Sequence, residues 1–114
     1  MLNISVLIGR VVKEPELRET SNGKKVSNIT VAVPRPFKNV NGEYDTDFIE
    51  CILWTGIAQT AVEYCKKGDL IALKGRLQTS IMEKENIPKM TILQFVVEKL
   101  SFLNSSKSTL KEEQ

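Results

Sequence analysis

The sequence predicts an all-β fold, a small closed Greek-key barrel of five strands with one short α-helix between the third and fourth strands. Three observations predict it. Apolar and polar residues alternate in five separate runs, glycine and proline punctuate the segments between them, and only one segment has helical spacing. The hairpin-like connections around the third strand argue against a parallel α/β sheet. A barrel with its single helix in this slot is the OB arrangement.

The first strand is predicted over residues 3–13 and is apolar on both sides in its centre, which suits a subunit interface. Gly9 inside it indicates a bend or a close approach of another backbone. The second strand is predicted over residues 25–34, and the prolines at positions 34 and 36 are predicted to end it.

The third strand is predicted over residues 47–55. The helix follows it, with Thr55 as its N-cap and Gly68 as its terminator. The fourth strand is predicted over residues 69–82 and the fifth over residues 91–103, with a polar turn between them. These elements place one domain at residues 1–103, and residues 104–114 are predicted to be a short polar, disordered tail.

The third strand carries two large rings and a carboxylate on one face. Phe48 and Trp54 are six residues apart, and Glu50 lies between them in the same alternation. The alternative is that both rings belong to the core. However, a carboxylate on a buried face is costly unless it is paired. We therefore expect the ring face to be exposed and Glu50 to pair with a neighbouring cation. The residues that alternate with the rings and supply the core face are Ile49, Cys51 and Leu53.

Composition argues against most enzyme classes. The chain has no histidine, so it has neither a Ser/His/Asp triad nor a Cys/His nucleophile pair. The only neighbouring carboxylates of interest, Asp45 and Asp47, fall where a loop is predicted to end. Cys51 and Cys65 are predicted to be free, buried thiols. We therefore predict a protein that is not an enzyme and needs no cofactor or metal.

Charge and hydropathy are those of an ordinary soluble domain. The net charge of +2 is mild, so any nucleic-acid site must come from local placement of charge. No apolar run approaches the roughly 20 residues that cross a bilayer, and the N-terminal MLNISVLIGR lacks the features of a secretory leader. The predicted location is cytoplasmic, with no membrane partner.

Four stretches together carry a family resemblance: LIGRVVKEPELRET, VSNITVAVPRPFKN, GEYDTDFIECILWTGIAQTAVEYCKKGDLIALKGRLQT and VVEKLSFL. In this order and spacing, the sequence resembles the bacterial single-stranded DNA-binding (SSB) proteins over residues 1 to about 103. The resemblance implies an OB barrel, a homotetramer, and non-sequence-specific binding of single-stranded DNA in replication, recombination, repair or DNA uptake. It also implies association with the nucleoid.

The resemblance also implies site residues. Phe37, Phe48 and Trp54 fall where the family places its stacking aromatics. Met82 aligns with a fourth stacking aromatic of the family, and because methionine has no ring, binding of the strand should be weaker or differently phased at that position. From pattern alone, Phe37 could instead be an inward-packed loop anchor, and the cations of the fourth strand an ordinary solvated face. The candidate phosphate contacts are Arg10, Arg35, Lys38, Lys74, Arg76, Lys84 and Lys89.

The end of the chain departs from the family pattern. Full-length members carry a long linker and an acidic tip ending in Pro-Phe, whereas this sequence stops at LKEEQ. We therefore expect a short form without acidic-tip recruitment of repair or replication proteins, as in second copies used for DNA uptake or encoded by phages and mobile elements. The alternative from another class is a primosome-type assembly module whose barrel face mainly contacts protein.

Overall fold

The structure of the protein, a computed structural model, describes residues 1–103. The tail predicted at residues 104–114 lies outside the described residues. The described part contains β1 (Ser5–Val11), β2 (Arg18–Glu19), β3 (Lys25–Lys38), β4 (Tyr44–Trp54), α1 (Thr55–Tyr64), β5 (Leu70–Lys84) and β6 (Ile87–Phe102).

The barrel closes at β1, which pairs with two strands. Residues 5–10 run antiparallel to residues 70–75 of β5, and Arg10 pairs with Ala32 of β3. The circuit continues from β5 to β6, β4 and β3, with a short parallel contact between β4 and β6. The predicted five-stranded barrel is therefore confirmed. The helix lies between β4 and β5, because the two-residue strand β2, which periodicity did not reveal, adds one to the strand count.

The interior is built mainly from alternate side chains of the long strands. In β6, Phe95, Val96 and Val97 are all buried. The buried residues of α1, Ala58 and Ala61, pack into the same cluster. Each fully buried aliphatic side chain stabilises the barrel by about 1.5–3 kcal/mol relative to its exposed state. The strand residues of this cluster include Val11, Ile29, Val31, Cys51, Leu53, Ile71, Leu73, Phe95 and Val97.

Helix α1 is shorter than predicted and begins differently. Its N-cap is Trp54, which makes no side-chain cap hydrogen bond, and Thr55 is the first helical residue with a φ of 50°. The predicted Thr55 cap is therefore wrong. The helix ends at Tyr64, whose ring meets Phe102 edge-on at a centroid distance of 6.4 Å. Gly68 lies beyond the end of the helix, in the following turn.

The outer ends of β3 and β4, residues 34–46, form a two-stranded extension that we call the β3–β4 ribbon. The prediction that prolines end the second strand at Pro34 is wrong. The pairing register shifts between Pro34 and Lys38. Proline is tolerated in such an irregular stretch because the ladder does not require its missing N–H.

The outer ends of β5 and β6, residues 78–94, form a second extension, the β5–β6 arm. The polar turn predicted around Pro88 shrinks to Glu85 and Asn86, and Pro88 itself lies within β6. Asn86 adopts a φ of 69°, which asparagine tolerates better than most residues. Both strands are therefore longer than the alternation indicated.

Two glycines mark where backbones approach closely. A Cβ at Gly9 would lie 2.7 Å from the carbonyl oxygen of Ala32, as predicted from a glycine inside the first strand. A Cβ at Gly75 would lie 1.9 Å from the carbonyl oxygen of Val96, at a register shift between β5 and β6. Both positions therefore admit only a residue without a side chain.

The two cysteines are buried thiols that form no disulfide, as predicted. Burial, with a smaller contribution from the charge of Glu50, raises the pKa of the Cys51 thiol to about 12. The thiol is therefore protonated at neutral pH. In the described part of the chain, no helix is long and apolar enough to cross a bilayer.

Candidate nucleic-acid interface

The outer face of β4 carries the two rings that the sequence singled out. Phe48 and Glu50 are exposed and Trp54 is half-buried, whereas Cys51 and Leu53 are buried in the core. The predicted division of this strand into a core face and a ring face is therefore confirmed. The ring face is open to partners from solvent.

The two rings differ in how open they are. Phe48 is 66% exposed and lies opposite Ala32 of β3, whose methyl group is too small to cover a phenyl ring. Trp54 lies opposite Val26, which is 3% exposed, and it leads directly into α1. Phe48 therefore offers a free surface, and the indole of Trp54 offers part of one.

The pairing register extends this face over neighbouring strands, because directly paired residues point to the same side of a sheet. Across β3, Ala32 pairs with both Phe48 and Arg10, so Arg10 belongs to the Phe48 face. Across β6, Val96 pairs with both Ile52 and Arg76. Cations at both ends of the face therefore flank the rings.

Met82 lies on the same side as Arg76, further out along the β5–β6 arm. The two residues are an even number of positions apart on β5, and the pairing of β5 with β6 is regular between them. A groove of about 340 Å³ joins the arm to the barrel, and its lining includes Glu50, Ile52 and Gln94. The groove lining does not include Met82, which lies further out on the arm.

Glu50 is held by an amide and not by a cation. The side-chain amide of Asn28 donates a hydrogen bond of 2.6 Å to the Glu50 carboxylate, and the Arg18 guanidinium donates to the Asn28 oxygen. Among residues 1–103, no ion pair includes Glu50. The expectation of a direct ion pair is therefore wrong. The positive charge of Arg18 reaches the carboxylate only through Asn28.

The β3–β4 ribbon carries two further exposed rings. Phe37 is 61% exposed, so it is not the inward-packed anchor that pattern alone allowed. It falls in the irregular stretch before Lys38, where the register does not assign it to a face. Tyr44 is 58% exposed and pairs with Lys38, whose Nζ lies 5.9 Å from the centre of the tyrosine ring.

The candidate cations are all exposed, but several have partners. Arg35 lies 2.9 Å from Asp47 and 3.9 Å from Asp45; the hydrogen bond and charge of Asp47 raise the pKa of Arg35, and Arg35 lowers the pKa of Asp47. Arg76 lies 3.2 Å from Glu98. Such exposed pairs contribute little net stability because water screens them, so a phosphate can compete for the cation.

The remaining cations are distributed around the barrel. Arg10 donates a hydrogen bond of 3.0 Å to the carbonyl oxygen of Gly68. Lys89 pairs with Glu83 at 3.0 Å at the tip of the β5–β6 arm, where Lys84 is also exposed. Lys74 faces Val6 of β1, so it lies on the β1 side of the barrel and away from Phe48.

Three residues of this surface were not selected from the sequence. Asn28 and Arg18 lie near Glu50 because of the pairing register of β3 and β4. The residue pattern along a single strand does not predict that register. Tyr44 was missed because the third strand was predicted to begin at residue 47. Extending the same alternation back from Phe48 would have found it, since both positions are even.

Comparison with known proteins identifies related sequences. Residues 2–103 match the single-strand binding protein family. The chain is 41% identical over 108 residues to single-stranded DNA-binding protein 3 of Listeria innocua, a match that covers 95% of this chain and 68% of the relative. It is 42% identical over 103 residues to the single-stranded DNA-binding protein of Halalkalibacterium halodurans, covering 90% of this chain and 61% of that protein.

A relative of similar length also matches. The chain is 38% identical over 104 residues to single-stranded DNA-binding protein B of Bacillus subtilis, which covers 91% of this chain and 92% of that protein. The family match spans every described strand and the helix. The chain therefore belongs to the single-strand binding protein family.

Proposed function

We propose that the protein binds single-stranded DNA without sequence preference, by stacking unpaired bases on exposed rings and by contacting phosphates through exposed cations. The observation that carries the proposal is the exposed ring of Phe48 on the outer barrel face of a family member. The relatives described above are named for single-stranded DNA, which supports the same function.

Stacking supplies the sequence-independent part of the affinity. Every base has a flat π face, and each base–ring stack is worth about 1–3 kcal/mol. In this proposal Phe48 and Trp54 hold different bases of the bound strand, since six residues of β4 separate them by roughly 20 Å. Phe37 holds a base in the β3–β4 ribbon. Met82 supplies a polarisable surface without a ring on the β5–β6 arm, so the strand is held less tightly there.

Phosphate contacts supply the salt-dependent part. Arg10 and Arg76 border the Phe48 face and are the first contacts in this proposal. Their present partners, a backbone carbonyl and a half-exposed carboxylate, are weak competitors for a phosphate. The further contacts are Arg35, Lys38, Lys84 and Lys89, each on an exposed part of the surface. Lys74 pairs with Val6 on the β1 side of the barrel, away from Phe48, so we do not assign it a phosphate contact.

Strand protection of this kind needs no chemistry from the protein. We accordingly assign it no catalytic role and no cofactor. A DNA-binding role also fits a cytoplasmic, nucleoid-associated location, where DNA lies in the bacteria that supply the relatives. The alternative of a protein-contacting assembly module gains no separate support, because the relatives described are all named for single-stranded DNA.

A homotetramer is the assembly that we propose. On the outer face of β1, Ile4, Val6 and Ile8 are 57%, 60% and 54% exposed. In the described part of the chain, residues 5–9 pair with β5 alone, since pairing with β3 begins at Arg10. An apolar strand face beside an unpaired edge is a surface that a second copy can cover.

The test is a competition experiment with a fluorescently labelled oligo-dT and measurement of its anisotropy. Unlabelled single strands should displace the label, and a duplex of equal length should not. The logarithm of the binding constant should fall linearly with the logarithm of salt concentration, by about 0.7 for each phosphate neutralised. Equal competition by duplex, or no binding at low salt, would contradict the proposal.

A further inference from the structure

Tyr44 has an exposed ring that does not pack into the barrel core. It is 58% exposed and lies outside the core cluster. Among residues 1–103, its hydroxyl has no hydrogen-bond partner, and its one aromatic contact is the Lys38 ammonium, 5.9 Å from the ring centre. An exposed cation–π pair contributes only about 0.5–1 kcal/mol. The cation–π contact therefore stabilises the ribbon only slightly, although the tyrosine exposes a large apolar ring to solvent.

The pairing register assigns Tyr44 to the Phe48 face. Tyr44, Thr46 and Phe48 pair in turn with Lys38, Pro34 and Ala32, so the extra residues of the irregular stretch all belong to β3 and the alternation of β4 is unbroken. Four residues of strand separate the two rings by roughly 14 Å. Stacked rings lie about 4.5–7 Å apart, so Tyr44 and Phe48 cannot hold the same base.

The charges around Tyr44 favour a polyanion on its side of the ribbon. Asp45 and Asp47 alternate with Tyr44 and therefore point to the other side, where Arg35 lies within 3.9 Å of one and 2.9 Å of the other. Lys38 is directly paired with Tyr44 and points to the same side. The ring thus has a cation beside it, and the carboxylates of Asp45 and Asp47 lie on the other side of the strand.

We propose that Tyr44 and Lys38 form an additional nucleotide subsite at the end of the Phe48 face. An unpaired base stacks on the tyrosine ring face that Lys38 leaves free, and the lysine contacts a phosphate of the same strand. This inference rests on the proposed function, since it extends the path of a bound single strand from the barrel into the β3–β4 ribbon. The subsite adds an aromatic ring to the path of the bound strand, which meets Met82 and not a ring on the β5–β6 arm.

The test compares Tyr44→Ala, Tyr44→Phe and Lys38→Ala for affinity to a long oligo-dT, with quenching of Trp54 fluorescence as an independent sign of binding. Tyr44→Ala should lower the affinity about 5- to 150-fold, the equivalent of one base stack. It should leave the salt slope unchanged. Tyr44→Phe should bind like the unmodified protein, and Lys38→Ala should lower the salt slope by about 0.7.

A loss smaller than about fivefold in Tyr44→Ala overturns the subsite, and so does a loss that appears entirely as a change in salt slope. Quenching of Trp54 in that variant would then show that the proposed function stands without it. No quenching in the unmodified protein would mean that the proposed function itself fails. If Tyr44→Ala lowers the melting temperature, Tyr44→Leu replaces it under the same thresholds, because leucine keeps apolar bulk without a ring.

Discussion

Glu50 is a side chain of the Phe48 face whose charge opposes the proposed ligand. Its carboxylate lies between the two rings of β4 and accepts a hydrogen bond from Asn28, with the charge of Arg18 one side chain further away. That arrangement orders the carboxylate without neutralising it. A passing phosphate chain is therefore repelled at this point, and the repulsion limits the affinity of the site.

Replacing Glu50 by glutamine should consequently tighten binding of single-stranded DNA. Glutamine keeps the shape and can still accept the hydrogen bond from Asn28. The gain should be roughly 0.2–1 kcal/mol at low salt and should vanish at high salt, as for other exposed charges. Titrations of both proteins at two salt concentrations measure it. Glu63→Gln, on the exposed side of α1, makes the same charge change away from the face and should have no effect. Equal affinity of Glu50→Gln and Glu63→Gln would show that Glu50 is remote from the strand.

Along β4, alternation predicted which side chains form the ring face but not which residues contact them. Phe48 and Glu50 are exposed as expected because neighbours at odd positions fill the core. The half-burial of Trp54 comes from Val26 and from the helix that starts beside it. The amide that holds Glu50 depends on which residue of β3 lies across the ladder, and a single sequence does not contain that register.

At the scale of elements, prolines were the main source of error. Pro34, Pro36 and Pro88 lie inside strands, since each falls in an outer part of a hairpin where the ladder is irregular or near its end. The strands therefore run several residues beyond the predicted limits. The glycines, by contrast, were informative, because Gly9 marks a close contact between strands that are far apart in sequence.

Gly75 gives the sharpest prediction at this scale. An alanine there places its Cβ within 1.9 Å of the carbonyl oxygen of Val96, so β5 and β6 must separate locally. The free energy of unfolding should fall by roughly 1–3 kcal/mol, as in other overpacked sites. Denaturant unfolding measures it. The matched control is Gly56→Ala in the first turn of α1, where nothing lies within 4 Å and the change should be neutral or stabilising by about 0.4–1 kcal/mol. A Gly75→Ala protein as stable as Gly56→Ala would contradict the pairing described here.

At the scale of the whole molecule, the sequence predicted the closed barrel but not how it closes. The five segments of alternating apolar and polar residues, together with the single helix, favoured a barrel of the OB type. The contacts that seal it, β1 with β3 and the parallel contact of β4 with β6, involve two residue pairs each and join distant parts of the chain. Periodicity describes a strand by itself and carries no information on such pairs.

The proposed assembly belongs to this scale and depends on the outer face of β1. Ile8→Asp places a charge in the middle of that apolar surface, so it should convert a tetramer to smaller species. Light scattering after size-exclusion chromatography measures the mass. Val40→Asp, at the fully exposed tip of the β3–β4 ribbon, is the matched control and should leave the mass unchanged. A monomeric unmodified protein, or a tetramer that survives Ile8→Asp, would exclude assembly through β1.

The fluorescence of Trp54, the only tryptophan of the chain, reports whether the rings of β4 hold unpaired bases. Titration with oligo-dT at low salt should quench the emission strongly, and added salt should partly reverse it. Phe48→Ala should shift the titration to higher concentration by about 1–3 kcal/mol of binding free energy. Ile81→Ala, which removes an equally exposed apolar side chain from the opposite face of the arm, should not shift it. Emission that stays constant at saturating oligo-dT, or identical curves for Phe48→Ala and Ile81→Ala, would contradict the claim.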